Sequence, residues 1–473
     1  MVLLHDFRHP RDCIGSSIIG IATLSAYFIQ HLMDVSSRHF AEAFDIPLYN
    51  TSIYFSKLYS SRSLSTGLGA IFHYLNAFTL GVNMKASSLI ALLFMLFTRM
   101  VLIMRVSSPY IMSVEIYKIL NVDAFVLGFF QMSHFRVISR YLFQRSMFVD
   151  FSRLIVFGIQ AFLDMTLKTR PMLMIRIQCW ISFFITLIAV CLWFYYLYQF
   201  KKSYKDSENN TSIVTQGSKQ ELSTDHNKFK CNHFTKYEYR KPVAVLPRAG
   251  CRIKEYSLDN ISLFLMFLTA SMVKNFLFPG VLPYAVLDRA RCHSVNMVLP
   301  VVSMVPPCVL FIFYSRCTEI CKKWNWILDL FWIFMVPELI SLIYALYTVH
   351  RKVFFTTEFS GSHVTVFLTT SLLMFSYGFI ESMAINHYQL AINQSESLIT
   401  YHYILSTFYS FLFSKLSVGY NCARVEYEYC LTPFYPTYKK GTASSITFWV
   451  RDVLRRAYKD VCGDFRLNIQ DYL

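Results

Sequence analysis

The feature that most constrains this chain is a succession of apolar stretches about twenty residues long, the length an α-helix needs to cross the hydrocarbon of a bilayer. They run over Ile14–Leu32, Leu64–Met84, Ser88–Met104, Val114–Phe135, Met147–Met165 and Met172–Phe200. After a gap come Ile261–Val281, Val295–Tyr314, Trp326–Tyr347, Val364–Ile385 and Ser397–Val418. No water inside a bilayer can satisfy backbone N–H and C=O groups, so stretches of this length are read as helices. The expected fold class is an all-α polytopic membrane protein of about 11 transmembrane helices, six followed by five, with the lipid bilayer as its first partner. Composition agrees. Only 16% of the 473 residues are charged, against about 25% in soluble chains, and mean hydropathy is +0.39.

The fourth and fifth stretches carry the most charge: Glu115, Lys118, Asp123, Asp150, Arg153 and Asp164. Asp150 and Arg153 are three apart, on one helix face, and are expected to neutralise each other. Arg8 and Arg11 before the first stretch resemble the start of a signal peptide. The apolar run is long enough to span, however, and is read as retained. Four regions follow: a six-helix bundle (1–200), a polar linker (201–257), a five-helix bundle (258–420) and a tail (421–473). In the tail Ile446, Trp449, Val450, Val453, Leu454, Ala457 and Val461 recur at helical spacing, an amphipathic helix suited to a membrane surface.

The linker holds Lys or Arg at twelve positions from Lys201 to Lys254. Arg136, Arg140 and Arg145 follow the fourth stretch, and Arg316, Lys322 and Lys323 follow the eighth. By the positive-inside rule these place the linker and the N-terminus in the cytosol, with the plasma membrane as the expected residence. The sequon at Asn50 then lies outside and those at Asn209, Asn210 and Asn393 inside. The basic tail, with Lys439, Lys440, Arg451, Arg455, Arg456 and Lys459, falls on the outer side against the rule.

The net charge of +16 is therefore assigned to loops and headgroups, and no nucleic-acid partner is expected. The twelve cysteines include no CxxC pair. Cys317 and Cys321 stand four apart with no second pair nearby, so no metal site and no cofactor are expected. The chain lacks GxSxG, HExxH, P-loop and GxGxxG patterns and is not expected to be an enzyme.

Ionisable groups within spans are costly and face a cavity or a partner. Arg99, Lys274, Asp329, Glu338 and Glu381 are of this kind. Glu338 follows Pro337, which frees a carbonyl and bends a helix. An acid beside a bend suits a substrate or proton site, and equally an acid reaching back to water. Pro300, Pro306 and Pro307 break the eighth stretch, a device common in transporters.

Local patterns then carry a family resemblance. Phe72-His73-Tyr74-Leu75-Asn76-Ala77-Phe78 is similar to F-x-Y-L-N-S-F, and Phe278-Pro279-Gly280-Val281 to F-P-x-V. Phe375-Ser376-Tyr377-Gly378-Phe379-Ile380-Glu381-Ser382-Met383 is similar to F-S-N-G-Y-L-x-S-L. Tyr27-Phe28 and Arg316 also fall at matching places, and Gln131 stands nearest the fourth-span glutamine. Together they make residues 14–420 resemble the equilibrative nucleoside transporter family. Ile312 and Ser315 depart from it, standing where the family has Asp and Gly before the arginine.

The resemblance implies a 6+5 major-facilitator-like arrangement and alternating access for a small-molecule solute, a nucleoside or nucleobase, passive or proton-coupled. It implies Arg316, Asn76, Gln131, Gly378 and Ser382 as substrate-binding residues. Glu338, Glu381, Lys274 and Pro279 are the candidates for coupling and gating. Each has a structural counterpart. Asn76 and Gly378 serve helix contact, Pro279 stops a helix and Arg316 anchors a cytosolic end. The alternative is a transporter-derived membrane protein that no longer transports and has an interaction or structural role. A polar cavity at mid-depth, or a dry Phe/Leu core, separates the two.

Overall fold

The computed structural model describes residues 10–47, 50–108, 113–137, 142–167, 170–217, 261–316, 325–354, 362–390, 396–428 and 441–464. The first group of helices is α1 (Pro10–Val35), the short α2 (Ser37–Ala43), α3 (Thr51–Leu80), α4 (Met84–Ser107), α5 (Ser113–Val137), α6 (Leu142–Leu167) and α7 (Pro171–Gly217). The second is α8 (Ile261–Leu277), α9 (Arg289–Arg316), α10 (Trp326–Asp329), α11 (Met335–Phe354), α12 (His363–Leu390), α13 (Glu396–Glu428) and α14 (Thr442–Asp464). A 3-10 stretch, Leu330–Phe334, joins α10 to α11. Each apolar stretch of the sequence lies on one of the long helices or on α10 with α11. Those at α1, α4, α7, α9, α10 with α11 and α12 are long and apolar enough to cross a membrane by length and composition alone. Large apolar side chains of α4 and α7, Phe94, Phe97, Phe184 and Phe194 among them, stand exposed, the surface a bilayer covers.

Local chemistry sets several helix ends. Gly81 takes the left-handed conformation (φ 58°) and closes α3. Asn83 caps α4 by accepting from the Lys85 N–H at 3.0 Å. Asn325 caps α10 by accepting from the N–H groups of Ile327 and Leu328. Proline stands at the first position of α7, where its missing N–H costs nothing.

In the first bundle α3 packs on α5, α4 on α5 and α7, and α1 on α6 and α7. In the second α9 packs on α12, and α8 on α11, α12 and α13. The bundles meet along two seams, α3 against α13 and α6 against α9. At the α3–α5 crossing the backbones touch. A Cβ on Gly69 falls 2.0 Å from the Phe125 carbonyl oxygen, and one on Gly128 falls 1.9 Å from that of Thr66. Small residues are what allow such an approach.

The chain passes back and forth, so the start of α1 shares one end of the molecule, here the near end, with the start of α13. The start of α3, the end of α13 and α14 share the far end. α14 lies on α13, where a Cβ on Gly419 sits 2.4 Å from the Val453 carbonyl oxygen. Ile446, Val450 and Leu454 form an exposed stripe beside that contact.

Two boundaries differ from the hydropathy reading. α3 begins at Thr51 rather than near Leu64, because Ser56, Lys57, Ser60, Ser61 and Arg62 are polar yet buried against other helices. α7 continues through the first part of the polar stretch, as far as Gly217. The remainder of that stretch and Arg8, Arg140, Cys317, Cys321, Lys322, Lys323, Asn393, Lys439 and Lys440 lie outside the described residues.

Candidate solute cavity between the two bundles

A cavity of about 270 Å³ lies on the seam between the bundles, lined from α1, α3, α5 and α6 on one side and α8, α9, α12 and α13 on the other. A second hollow of about 150 Å³ shares Gln30, His31, Arg153 and Lys274 with it and adds Asp34. The two form one polar space.

Its first-bundle wall is built around Tyr27. The Gln131 amide N–H and Arg145 Nη2 both donate to the Tyr27 hydroxyl oxygen, Arg145 at 2.7 Å. The Arg145 guanidinium also lies 4.2 Å from the centre of the Phe135 ring, a cation–π contact. Arg153 Nη1 donates to Asp150 Oδ1 at 2.7 Å, the pairing their spacing predicts. Arg62 donates to the Leu120 carbonyl oxygen at 2.8 Å, and its Nη2 lies 3.9 Å from Asp123 Oδ2. Behind it Arg99 donates to the Ser25 carbonyl oxygen at 2.6 Å and lies 3.9 Å from Asp123, so a buried chain of charge runs from the bundle interior to the cavity wall.

The second-bundle wall centres on Tyr377, whose hydroxyl donates to Glu381 Oε1 at 3.2 Å. The Lys274 ammonium sits 5.4 Å from the centre of the same ring and donates to Asn275 Oδ1 at 3.2 Å. The two walls touch where Ser63 and Ser410 share a hydrogen bond of 3.0 Å.

The combined lining carries four cations, Arg62, Arg145, Arg153 and Lys274, against three acids, Asp34, Asp150 and Glu381. Four of its buried atoms lack a hydrogen-bond partner among the described residues: Gln131 Oε1, Asp34 Oδ1, His31 Nε2 and Asn296 Oδ1. Buried polar atoms are nearly always bonded, so these are handles for a polar guest.

At the far end the seam is shut. The Phe55 ring stacks on Tyr284 with centroids 5.4 Å apart. Asn296 Nδ2 donates to Ser37 Oγ at 3.0 Å and to the Tyr284 hydroxyl oxygen at 2.8 Å. Arg289 donates to the Ile46 carbonyl oxygen. His39 and His293 both bond Asp164. A Cβ on Gly280 would fall 2.0 Å from Ser56 Oγ and 2.4 Å from Ser417 Oγ, so both hydroxyls would have to move.

Of the residues singled out from sequence, Gln131, Gly378, Ser382, Glu381 and Lys274 come together on the cavity wall. Gly378 also permits a close helix contact, a Cβ there standing 3.1 Å from Pro306 Cγ. The cavity is lined without the other four. Arg316 is the exposed last residue of α9, one turn after Ile312, which is also exposed. Asn76 lies half-exposed on the near-end part of α3. Glu338 is wholly buried in the second bundle, with neither carboxylate oxygen bonded. Pro279 stands just past α8, which stops at Leu277.

Sequence reasoning missed Arg62, Ser63 and Thr66, which face the cavity. Their i, i+1, i+4 spacing marks one helix face, but only if the helix is extended upstream of the apolar stretch. It also passed over Gln30 and Asp34, which follow Tyr27 by one and two turns.

No protein-family model matches the chain, and no curated protein matches it in sequence. Among solved structures it is similar to the crystal structure of a D-xylose–proton symporter, with a TM-score of 0.52 and 10% identity over 94% of this chain and 96% of that one. A tetrameric PepTSo2 structure superposes with a TM-score of 0.49 and 13% identity over 96% and 99% of the two chains. At such identities the likeness speaks of fold alone: the described residues form a helical fold similar to that symporter's, with six helices long and apolar enough to cross a membrane.

Proposed function

We propose that this protein carries a small polar solute across its membrane by alternating access, the two bundles rocking about the seam cavity. The observation that carries this reading is the convergence of unsatisfied buried atoms, Gln131 Oε1, Asp34 Oδ1 and His31 Nε2, on a cavity at the bundle seam. A protein that had lost transport has no need of a polar hollow there and would gain stability by filling it with Phe or Leu. Transporter substrates bind near mid-depth between two halves of the fold. The volume of about 270 Å³ sits at the small end of ligand pockets, which span about 300–1,000 Å³.

Within that class we favour a nucleoside or nucleobase. The lining sets the rings of Tyr27, Phe135, Phe267 and Tyr377 beside the amide of Gln131 and the hydroxyls of Ser382 and Ser406. That mixture offers a planar base a stacking face and a sugar its hydrogen bonds. Movement of solute is passive or coupled to a proton, with Glu381, one of three acids on the lining, as the proposed carrier. The N-terminus and the 201–257 stretch lie on the cytosolic side in this reading, and the plasma membrane is the proposed residence.

The test is uptake of radiolabelled adenosine and hypoxanthine in cells lacking endogenous nucleoside entry. Surface expression is measured in parallel, with Gln131→Ala alongside. Saturable uptake that falls in the variant supports the reading. No uptake of either solute by protein shown to be at the surface overturns the nucleoside assignment and turns attention to other polar solutes.

A further inference from the structure

At the far end the α6–α9 seam holds a cluster outside the cavity. His39 Nε2 lies 2.8 Å from Asp164 Oδ1, and His293 Nε2 lies 2.8 Å from Asp164 Oδ2. The three ligand atoms all fall within 4.8 Å of one another. His39 comes from α2 and Asp164 from α6, both in the first bundle, whereas His293 comes from α9 in the second. The carboxylate is held in place by Gln160 Nε2, which donates to Asp164 Oδ1 at 2.7 Å. Gln160 Oε1 in turn accepts from Ser36 Oγ at 2.5 Å. The other ring nitrogen of His39, Nδ1, lies 3.9 Å from Glu42 Oε2.

We infer that His39, Asp164 and His293 form a binding site for a divalent transition-metal ion that clamps the two bundles together at the far end. Two imidazoles and one carboxylate are the ligand set of zinc and its neighbours, whereas calcium and magnesium take oxygen ligands. Zinc bonds are about 2.0–2.2 Å; each histidine nitrogen already lies 2.8 Å from one carboxylate oxygen and the three ligand atoms lie within 4.8 Å of one another, so side-chain shifts on the order of an ångström admit the ion. The carboxylate is braced by Gln160, the kind of outer support that orients metal ligands. The site is reachable, since the side chains of Asp164 and His293 are 27% and 12% exposed. An ion held there joins helices that must part if the far end opens. The binding itself does not depend on transport.

The test is titration of zinc into the purified full-length protein in detergent, followed by calorimetry and by hydrogen exchange. One zinc per chain is expected. His39→Ala, His293→Ala and Asp164→Asn are each expected to weaken binding at least about tenfold, the loss that removing even an outer partner of a metal site causes. His363→Ala is expected to leave binding unchanged, because that histidine lies outside the cluster and bonds Ser294 at 2.7 Å. Zinc is also expected to slow exchange in residues 37–43 and 289–297 together, in the wild type and not in His293→Ala. Asp164→Asn preserves shape, so a folding failure of the alanine variants does not remove the test. Absence of stoichiometric binding, or equal binding by all the variants, overturns the site and leaves a hydrogen-bonded His–Asp–His tie. Binding that protects only one of the two segments overturns the clamp.

Discussion

Lys57 Nζ lies 2.8 Å from Asp460 Oδ1, bonding the second long helix to the last helix across 403 positions of sequence. Lys415 of α13 takes the other carboxylate oxygen at 2.5 Å. All three side chains are 2% exposed or less. One carboxylate between ammonium groups from opposite bundles makes α14 part of the far-end seal, where the sequence suggested a helix lying on a membrane surface.

Asp460→Asn removes the carboxylate charge that Lys57 and Lys415 share. Breaking a buried pair costs about 3–5 kcal/mol, so a lowered Tm in detergent and early proteolysis of α14 are expected. The pH dependence follows from the same contact. Burial pushes the Asp460 carboxyl up, but Lys415 and Lys57 outweigh it and hold it below the usual carboxylate range. A depressed group stabilises above its ordinary value of about 4 and loses that contribution as pH falls further. Docking of α14, followed by protease protection, is therefore expected to be flat from about pH 5 to 8 and to weaken only below about 4.

The α3–α5 crossing gives a sharper contrast between two glycines. Gly128→Val places side-chain carbon where the Thr66 carbonyl stands, while the position of a Cβ on Gly158 meets nothing within 4 Å. Size-exclusion profiles are expected to show aggregation for Gly128→Val and an unchanged peak for Gly158→Val.

Arg145 and Arg316 separate the geometry from the family pattern. Arg145 is buried on the cavity wall and Arg316 is exposed at a helix end. A hydrogen bond to a charged group contributes about 1.5–3 kcal/mol, so Arg145→Ala is expected to cut uptake about 10- to 100-fold at low solute concentration. Arg316→Ala is expected to change it less than about threefold, within the range of a surface substitution. Equal losses in the two variants would restore Arg316 to the site.

Glu381 lies on the cavity wall and Glu338 does not. If uptake depends on pH, Glu381→Gln is expected to flatten that dependence and Glu338→Gln to leave it. Among the described residues neither Glu338 oxygen has a hydrogen-bond partner, so Glu338→Gln is also expected to keep or raise the Tm.

The long helices were legible in the sequence because lipid contact demands an uninterrupted apolar face, as in α4 and α7. Half of the site was not. Arg62, Ser63 and Thr66 lie on turns of α3 that face protein rather than lipid, so hydropathy reads that stretch as a loop. Glu381, Ser382 and Gly378 were found because they share one apolar stretch with a recognisable pattern. Asn76 and Arg316 came from the pattern alone, and packing put both at the near end. The His39–Asp164–His293 cluster joins positions from three helices, and no spacing rule connects them.

In the proposed cycle the seam opens at one end as it closes at the other. The most direct measurement of this motion is a pair of spin-label distances in a background freed of reactive cysteines: Thr166 to Arg291 at the far end and Thr79 to Tyr401 at the near end, all four exposed. With adenosine, hypoxanthine and a pH series applied, the account predicts two populations, the far-end distance lengthening as the near-end distance shortens. A single far-end distance under every condition would contradict it.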